Sequence, residues 1–301
     1  MNDILFTIAV PTYNNEEIIQ KAIESCLDQN TDINYEVMVV NNASSDGTKE
    51  VIEQFNDKKI RIVNNPKTVT LLENHNVCLE NALGKYVIFC HSDDTLEPDT
   101  IRICAKKVEE RGYPNKYVLW GNSMFRDFSV NFIKKAGFSY NQVVVGEFAA
   151  LGMMYGGLAP SGALYSRESL LEIGGFIDTT KPGPFDFTSM VYMAMKGFRF
   201  EMVDEMLLWR VGASTSPSEA AKSREEVDDA FRHFFEKVTD EDISKLISIS
   251  TQLKSKPWIF YYTLLQKKVH AKQIKRIVIL ELIKNPLILR DVLVRKTISR
   301  L

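Results

Sequence analysis

The stretch that decides the fold is Lys85–Asp99, KYVIFCHSDDTLEPD. Tyr86 to Cys90 is a short apolar run of the kind that forms a buried strand. It stops abruptly at His91-Ser92-Asp93-Asp94. Two adjacent carboxylates at the end of a buried strand carry a desolvation cost unless something neutralises them. A hard divalent cation suits them, because oxygen ligands favour Mg²⁺ or Mn²⁺. Glu97, Pro98 and Asp99 then open an amphipathic stretch, and Pro is at home in a first helical turn. Strand, acidic tip, helix is how an open α/β sheet builds a ligand site. Taken alone, Asp93 and Asp94 read better as a turn that caps the helix than as a ligand site.

Working outward, the chain before this stretch alternates strand and helix. Ile4–Val10 is a β-branched, apolar run that Pro11 is expected to end. Asn14 or Asn15 can cap the next helix, whose apolar face is Ile18, Ile19, Ala22, Ile23, Cys26 and Leu27. Tyr35–Val40 is a second strand, followed by a polar loop, Asn41 to Thr48, in which Asp46 reads as a helix cap. A helix with Val51, Ile52 and Phe55 on one face precedes a third strand, Ile60–Val63. Leu71–Leu83 is predicted helical, with Gly84 as its stop. Such alternation with short connections predicts a mostly parallel sheet covered on both faces. Right-handed crossovers then gather the Pro11–Asn15, Asn41–Asp46 and His91–Asp94 loops on one edge, a Rossmann-like half suited to a nucleotide.

The bulk composition narrows the alternatives. A chain of 301 residues allows one large domain, or one domain and an appendage. Cys26, Cys78, Cys90 and Cys104 sit in apolar runs without metal-ligand spacing, so buried free thiols in a reducing compartment are expected. No signal-peptide pattern opens the chain and no run of about 18 apolar residues occurs, which points to a cytoplasmic protein without a spanning helix. From Lys254 to Leu301 there are 12 Lys and Arg against 2 acids, a net of +10. With −2 for the whole chain, residues 1–253 carry −12. An acidic body without a binding motif excludes nucleic acid as the expected partner.

Five stretches in order resemble the inverting, family-two glycosyltransferases of the GT-A fold. They are VPTYNNEE (Val10–Glu17), VVNNASSDGT (Val39–Thr48), GKYVIFCHSDDTLEPD (Gly84–Asp99), PSGALYSRESLLEIGGF (Pro160–Phe176) and FDFTSMVYMAMKGFRF (Phe185–Phe200). The resemblance covers roughly residues 4–216. It implies a GT-A catalytic domain over 1–216 and leaves 217–301 as a helical, basic C-terminal extension. The implied donor is a sugar on a nucleoside diphosphate, UDP first among them.

By the same resemblance, Pro11, Thr12, Tyr13 and Glu16 or Glu17 lie near the base and ribose. Asn41 stands where the family often has an aspartate, and its amide can still pair with a uracil edge. Loop and turn chemistry is the plainer role of Asn41-Asn42. The family's metal motif, often Asp-Ser-Asp-Asp, reads His91-Ser92-Asp93-Asp94 here. Asp93 or Asp94 is expected to hold Mg²⁺ or Mn²⁺ against the diphosphate, with Ser92 beside them. As a lone histidine in a polar loop, His91 reads as a hydrogen-bonding group before it reads as a third ligand. His75-Asn76 lies where relatives often carry Arg-Asn, and imidazole attracts phosphate less than guanidinium does. Asp186 aligns with the acid that takes the acceptor hydroxyl's proton, while Phe185 replaces the acid before it. The bland role of Asp186 is a helix cap. Pro160-Ser161-Gly162 is placed along the sugar pocket through backbone groups. Arg210 and Ser214 match a late segment near the diphosphate, which here lacks its histidine. Trp209 reads equally as a sugar platform or a core residue.

The tail is predicted helical, punctuated by Pro257 and Pro286, with basic residues interleaved among Trp258, Phe260, Tyr261, Leu264 and Ile277. Basic helices with apolar faces suit an anionic membrane surface, which would fit a peripheral enzyme acting on a lipid-linked glycan at the cytoplasmic face. Packing on the catalytic domain or a homo-oligomer contact accounts for them equally. The expected function is transfer of a sugar to a glycan or lipid-linked glycan, in polysaccharide or glycoconjugate biosynthesis. A nucleotide-sugar-binding assembly subunit with little turnover is the second reading, prompted by the replaced acids at His91 and Phe185. A nucleotidyltransferase is weaker, because VPTYNNEE lacks the Gly and Lys of a phosphate loop.

Overall fold

A computed structural model describes residues 4–123, 140–146, 149, 160–177, 185–210 and 283, the backbone alone at 123, 185–188 and 210. Apart from Ile283, the expected C-terminal extension over 217–301 lies outside the described residues.

The strands the sequence outlines form one parallel half-sheet. β1 (Phe6–Thr12) lies between β2 (Tyr35–Asn41) and β4 (Tyr86–Phe89), and β3 (Ile60–Asn64) flanks β2. All three pairings are parallel, from Phe6↔Tyr35 to Thr12↔Asn41 on one side of β1 and from Phe6↔Tyr86 to Ala9↔Phe89 on the other. Pro11 does not end β1, which runs on to Thr12. It lies beyond Ala9↔Phe89, where the ladder with β4 has stopped, so its missing N–H costs no bond on that side.

The second half is mixed. β8 (Ala163–Ser166) runs antiparallel to β4 and to β6 (Tyr117–Ser123), and β9 (Arg199–Arg210) runs parallel to β6. β5 (Asp94–Leu96) and β7 (Val143–Val145) each pair antiparallel with β9. The sequence did not anticipate β5. The acidic tip turns straight into it, and the next helix, α4 (Thr100–Glu110), starts only after Asp99.

Strand alternation sends side chains to two cores. Ala9, Met38, Val40, Val87 and Phe89 pack with α3 (Leu71–Asn81), α5 (Arg167–Glu172) and α6 (Phe185–Met195). Phe6, Ile8, Val10, Val37, Val39 and Ile88 pack with α1 (Ile19–Leu27), α4 and Ile52 of α2 (Thr48–Glu53). All four cysteines are buried and free. The start of α3 has a capping box, Thr70 with Glu73, which went unread in the sequence. Its end differs from expectation. The helix stops at Asn81, and Gly84 serves a close approach of two backbones instead. A Cβ there would lie 2.5 Å from Thr7 N and 2.6 Å from Phe6 C.

Candidate active site

At the carboxyl ends of β1, β2 and β4 the polar loops meet as the topology requires. The first and second loops are zipped together. Asn14 N–H donates to Ser44 Oγ at 3.0 Å, Asn15 N–H to Thr48 Oγ1 at 2.7 Å, and Gly47 N–H to the Glu16 carboxylate. Asp46 accepts from the Thr48 and Glu16 amides, yet it is not the cap of α2, whose N-cap is Gly47 without a side-chain bond. Asn15 is not the cap of α1, which starts after Ile18 without a side-chain cap. Its amide nitrogen instead donates to Ser92 Oγ at 2.8 Å, tying the first loop to the acidic tip.

Asn41 is buried, donates to Asn64 Oδ1 at 3.0 Å and accepts from the Ser44 amide at 3.1 Å. Asn42 is bonded to Val69 and Asn65. Both asparagines thus do the loop-building work of the plainer reading. Thr12 is buried at the end of β1, and its hydroxyl has no hydrogen-bond partner among the described residues. Tyr13 is 47% exposed beside it.

His91, Asp93 and Asp94 form the centre. One ring nitrogen and one oxygen from each carboxylate lie within 4.8 Å of one another. Asp94 is buried and accepts from Ser161 Oγ at 2.6 Å. Ser161 Oγ in turn accepts from the His91 amide at 3.0 Å, so one hydroxyl fixes both ends of the tip. Ser161 therefore acts through its side chain, where the sequence predicts a backbone role. Behind this, His75 is fully buried and its Nε2 lies 3.0 Å from His91 Nε2. Burial lowers the His75 pKa to about 4, against the opposing pull of its bond to the Leu71 carbonyl. Asn76 points its amide elsewhere: it accepts from Phe176 N–H at 2.8 Å and donates to Phe176 O at 3.2 Å, tying α3 to the turn after α5.

Two expected residues are described through the backbone alone. Asp186 lies in the first turn of α6, and Arg210 pairs through the backbone with Asp94 across β5 and β9. The side chains of both, and Ser214, lie outside the described residues. Trp209, paired with Thr95, is 40% exposed and so is not a core residue.

The pattern described as Glycosyl transferase family 2 matches residues 7–174, more than half of the chain. The chain belongs to that family. Curated relatives include the Streptococcus pneumoniae glycosyltransferase GlyA, 35% identical over 109 residues, which are 36% of this chain and 16% of that protein. Another is the Escherichia coli enzyme UDP-Glc:alpha-D-GlcNAc-diphosphoundecaprenol beta-1,3-glucosyltransferase WfgD, 35% identical over 94 residues, 31% of this chain and 37% of that one. The chain thus matches well under half the length of these relatives. Among solved structures, Staphylococcus aureus TarS 1-349 in complex with UDP superposes with a TM-score of 0.59 at 18% identity, covering 92% of this chain and 90% of that one. The Pyrobaculum calidifontis mannosyltransferase PcManGT, with GDP-Man and Mn²⁺, gives 0.60 at 18% identity, with 93% and 86% covered. This family-two glycosyltransferase therefore has the GT-A fold. Among its described residues no helix is long and apolar enough to cross a membrane.

Proposed function

We propose that the chain is a metal-dependent, inverting glycosyltransferase that moves a sugar from a nucleoside-diphosphate sugar to a glycan or lipid-linked glycan. The observation that carries this is the cluster of His91, Asp93 and Asp94 at the sheet edge of a family-two chain. Two carboxylates and an imidazole within reach of one point suit a divalent cation, Mg²⁺ or Mn²⁺. When bound, the cation supplies Lewis-acid neutralisation of the leaving diphosphate. Asp93 and Asp94 would hold it, and Ser161 and Asn15 keep the tip in place through Asp94 and Ser92.

Donor binding is assigned to the first two loops. The unpartnered Thr12 hydroxyl and exposed Tyr13 border the place for a nucleoside, with Pro11, Glu16 and Asn41 shaping the loops around it. UDP is favoured because TarS is seen with UDP and with UDP-GlcNAc. A lipid-linked acceptor is favoured by the diphosphoundecaprenol in the name of WfgD. Arg210 is assigned to the diphosphate and Asp186 to the acceptor hydroxyl as general base. The domain boundary near residue 216 and a membrane-facing role for the basic tail belong to the same proposal.

Calorimetric titration of UDP, GDP, dTDP and CDP, each with and without Mn²⁺, tests the donor. Metal-dependent binding of UDP is expected; metal-independent binding of all four, or of none, would sink the proposal. Asp186→Asn is expected to lower kcat about a thousandfold while donor binding stays the same, since general bases contribute on that scale. Unchanged turnover would remove Asp186 as the base.

A further inference from the structure

The face that α6 turns to the core is apolar: Met190, Val191, Met193 and Ala194 are fully buried. Among the described side chains of this helix, Ser189 is the one buried hydroxyl. Alanine would pack there as well and favours a helix more, and a buried hydroxyl is costly unless it is bonded. Ser189 Oγ accepts the Ile177 N–H at 2.9 Å, a bond that leaves the helix for the turn after α5. That turn is itself held from α3. Asn76 takes both backbone polar groups of Phe176, accepting from its N–H and donating to its carbonyl. Gly175 makes the fit possible: its φ is +77°, and a Cβ there would lie 2.5 Å from Asn76 Oδ1. The Phe176 ring packs on Phe89 and Tyr165, with centroids 5.6 and 5.5 Å away. Phe89 is the last residue of β4, just before the acidic tip. Two consecutive residues, Phe176 and Ile177, thus join the strand that leads to the tip with the helix that begins at Phe185-Asp186.

We propose that Ser189 is a positioning residue for the general base: its bond to Ile177 sets where the first turn of α6, with Asp186, stands relative to the acidic tip. This rests on the reading of Asp186 as the base. Asp186 comes three residues before Ser189, so about 4.5 Å of helix rise separates the anchored position from the base's backbone. A base has to come within hydrogen-bond reach of the proton it takes, and a misplacement of about 1 Å can lower the rate about a hundredfold. Packing alone fixes this helix loosely. Two of its four fully buried apolar side chains, Met190 and Met193, are methionines, whose flexible chains fill a gap in more than one way. A directional hydrogen bond to a turn that is clamped on both sides supplies the register that methionine packing does not.

The test is a double-mutant cycle on the full chain, Ser189→Ala with Asp186→Asn. It reads the release of UDP from UDP-Glc and UDP-GlcNAc with Mn²⁺ present, water taking the acceptor's place. Rates are counted per UDP-binding site measured by calorimetry, which removes any unfolded fraction. Ser189→Ala should lower kcat between about tenfold and a hundredfold and leave the donor KM unchanged. In the Asp186→Asn background the same change should have little further effect, because its route to the reaction is gone. Ser189→Thr keeps the hydroxyl and should recover much of the loss. Ser189→Cys, similar in size with only a weakly accepting sulfur, takes the place of Ser189→Ala in the cycle if the alanine variant does not fold. An unchanged kcat, or the same fold-loss in both backgrounds, would overturn the inference and leave Asp186 standing as the base. Unchanged turnover in Asp186→Asn would overturn both, as would a parent that releases UDP from neither donor.

Discussion

The two edges of the sheet bury carboxylates in opposite ways. At the amino ends of the strands, Glu36 and Glu201 are each closed by an arginine. Arg61 reaches Glu36 through Nε at 2.9 Å and Nη2 at 3.2 Å, and Thr7 and the Leu83 amide complete the shell. Arg111 holds Glu201 at 2.7 and 2.8 Å, and Tyr117 Oη donates to it at 2.6 Å. At the carboxyl ends, Asp94 accepts from the Ser161 hydroxyl and shares its neighbourhood with Asp93 and His91. The first arrangement satisfies a buried acid with the chain's own cations and needs nothing further. The second gathers lone pairs toward one point, which suits a cation from outside. Burial of an acid therefore does not mark a site; the company it keeps does.

The sharpest way to break this contrast is to remove a partner at the structural edge. Arg111→Met should cost about 3 kcal/mol of stability, because Glu201 stays buried without its guanidinium. Urea unfolding measures it. A loss below about 0.5 kcal/mol, the scale of ordinary surface changes, would mean that the arginine is incidental.

At the other edge the expectation reverses. Asp93→Ala should weaken metal-dependent UDP binding roughly a hundredfold, since a direct ligand should matter at least as much as the groups behind it. Its unfolding free energy should move by no more than about 0.5 kcal/mol, as for a partly exposed residue outside the core. Calorimetry and urea unfolding on the same preparation read both. Comparable destabilisation in Asp93→Ala and Arg111→Met would erase the distinction between the edges.

Much of this was legible in the sequence for a physical reason. The half-sheet was read from apolar runs, because β1, β2 and β4 are buried on both faces and each carries its own signal. The acidic tip was legible because charge after such a run is costly. β5 and Ser161's bridge were not, because they depend on β9 and β8, which arrive some 70 to 110 residues later. The histidine pair shows the limit best. His75 and His91 each depart from the family's pattern as the resemblance gave it, and were weighed separately as two weakened contacts. The packing of α3 on the sheet turns them into one hydrogen-bonded unit.

Acid should separate the edges more gently. Burial pushes the Glu201 carboxyl up, but the bonds from Arg111 and Tyr117 outweigh it and hold the pKa below the ordinary 4.5. A carboxylate with a depressed folded pKa contributes stability above its unfolded value, and that contribution fades as pH falls through the folded one. The parent's advantage over Glu201→Gln should thus be constant above about pH 4.5 and shrink below it. Urea midpoints of the two proteins across pH 3 to 7 check the sign. An advantage that grows on acidification would mean that burial, not Arg111, governs the group.

The smallest effect should come from Ser161→Ala, yet it bears most directly on how the site is built. The hydroxyl does two things at once: it accepts from the His91 amide and donates to Asp94. Removing it deletes no ligand and no charge. If the tip were held only by β5, Mn²⁺-dependent UDP binding would be indifferent to the change. If the hydroxyl sets the separation of His91 from Asp94, affinity should fall about tenfold, the lower end of what groups behind a metal ligand contribute. Ser161→Thr keeps the hydroxyl and, where the added methyl fits, should recover most of that loss. Equal losses in the two variants would point to packing at this fully buried position and away from the hydroxyl.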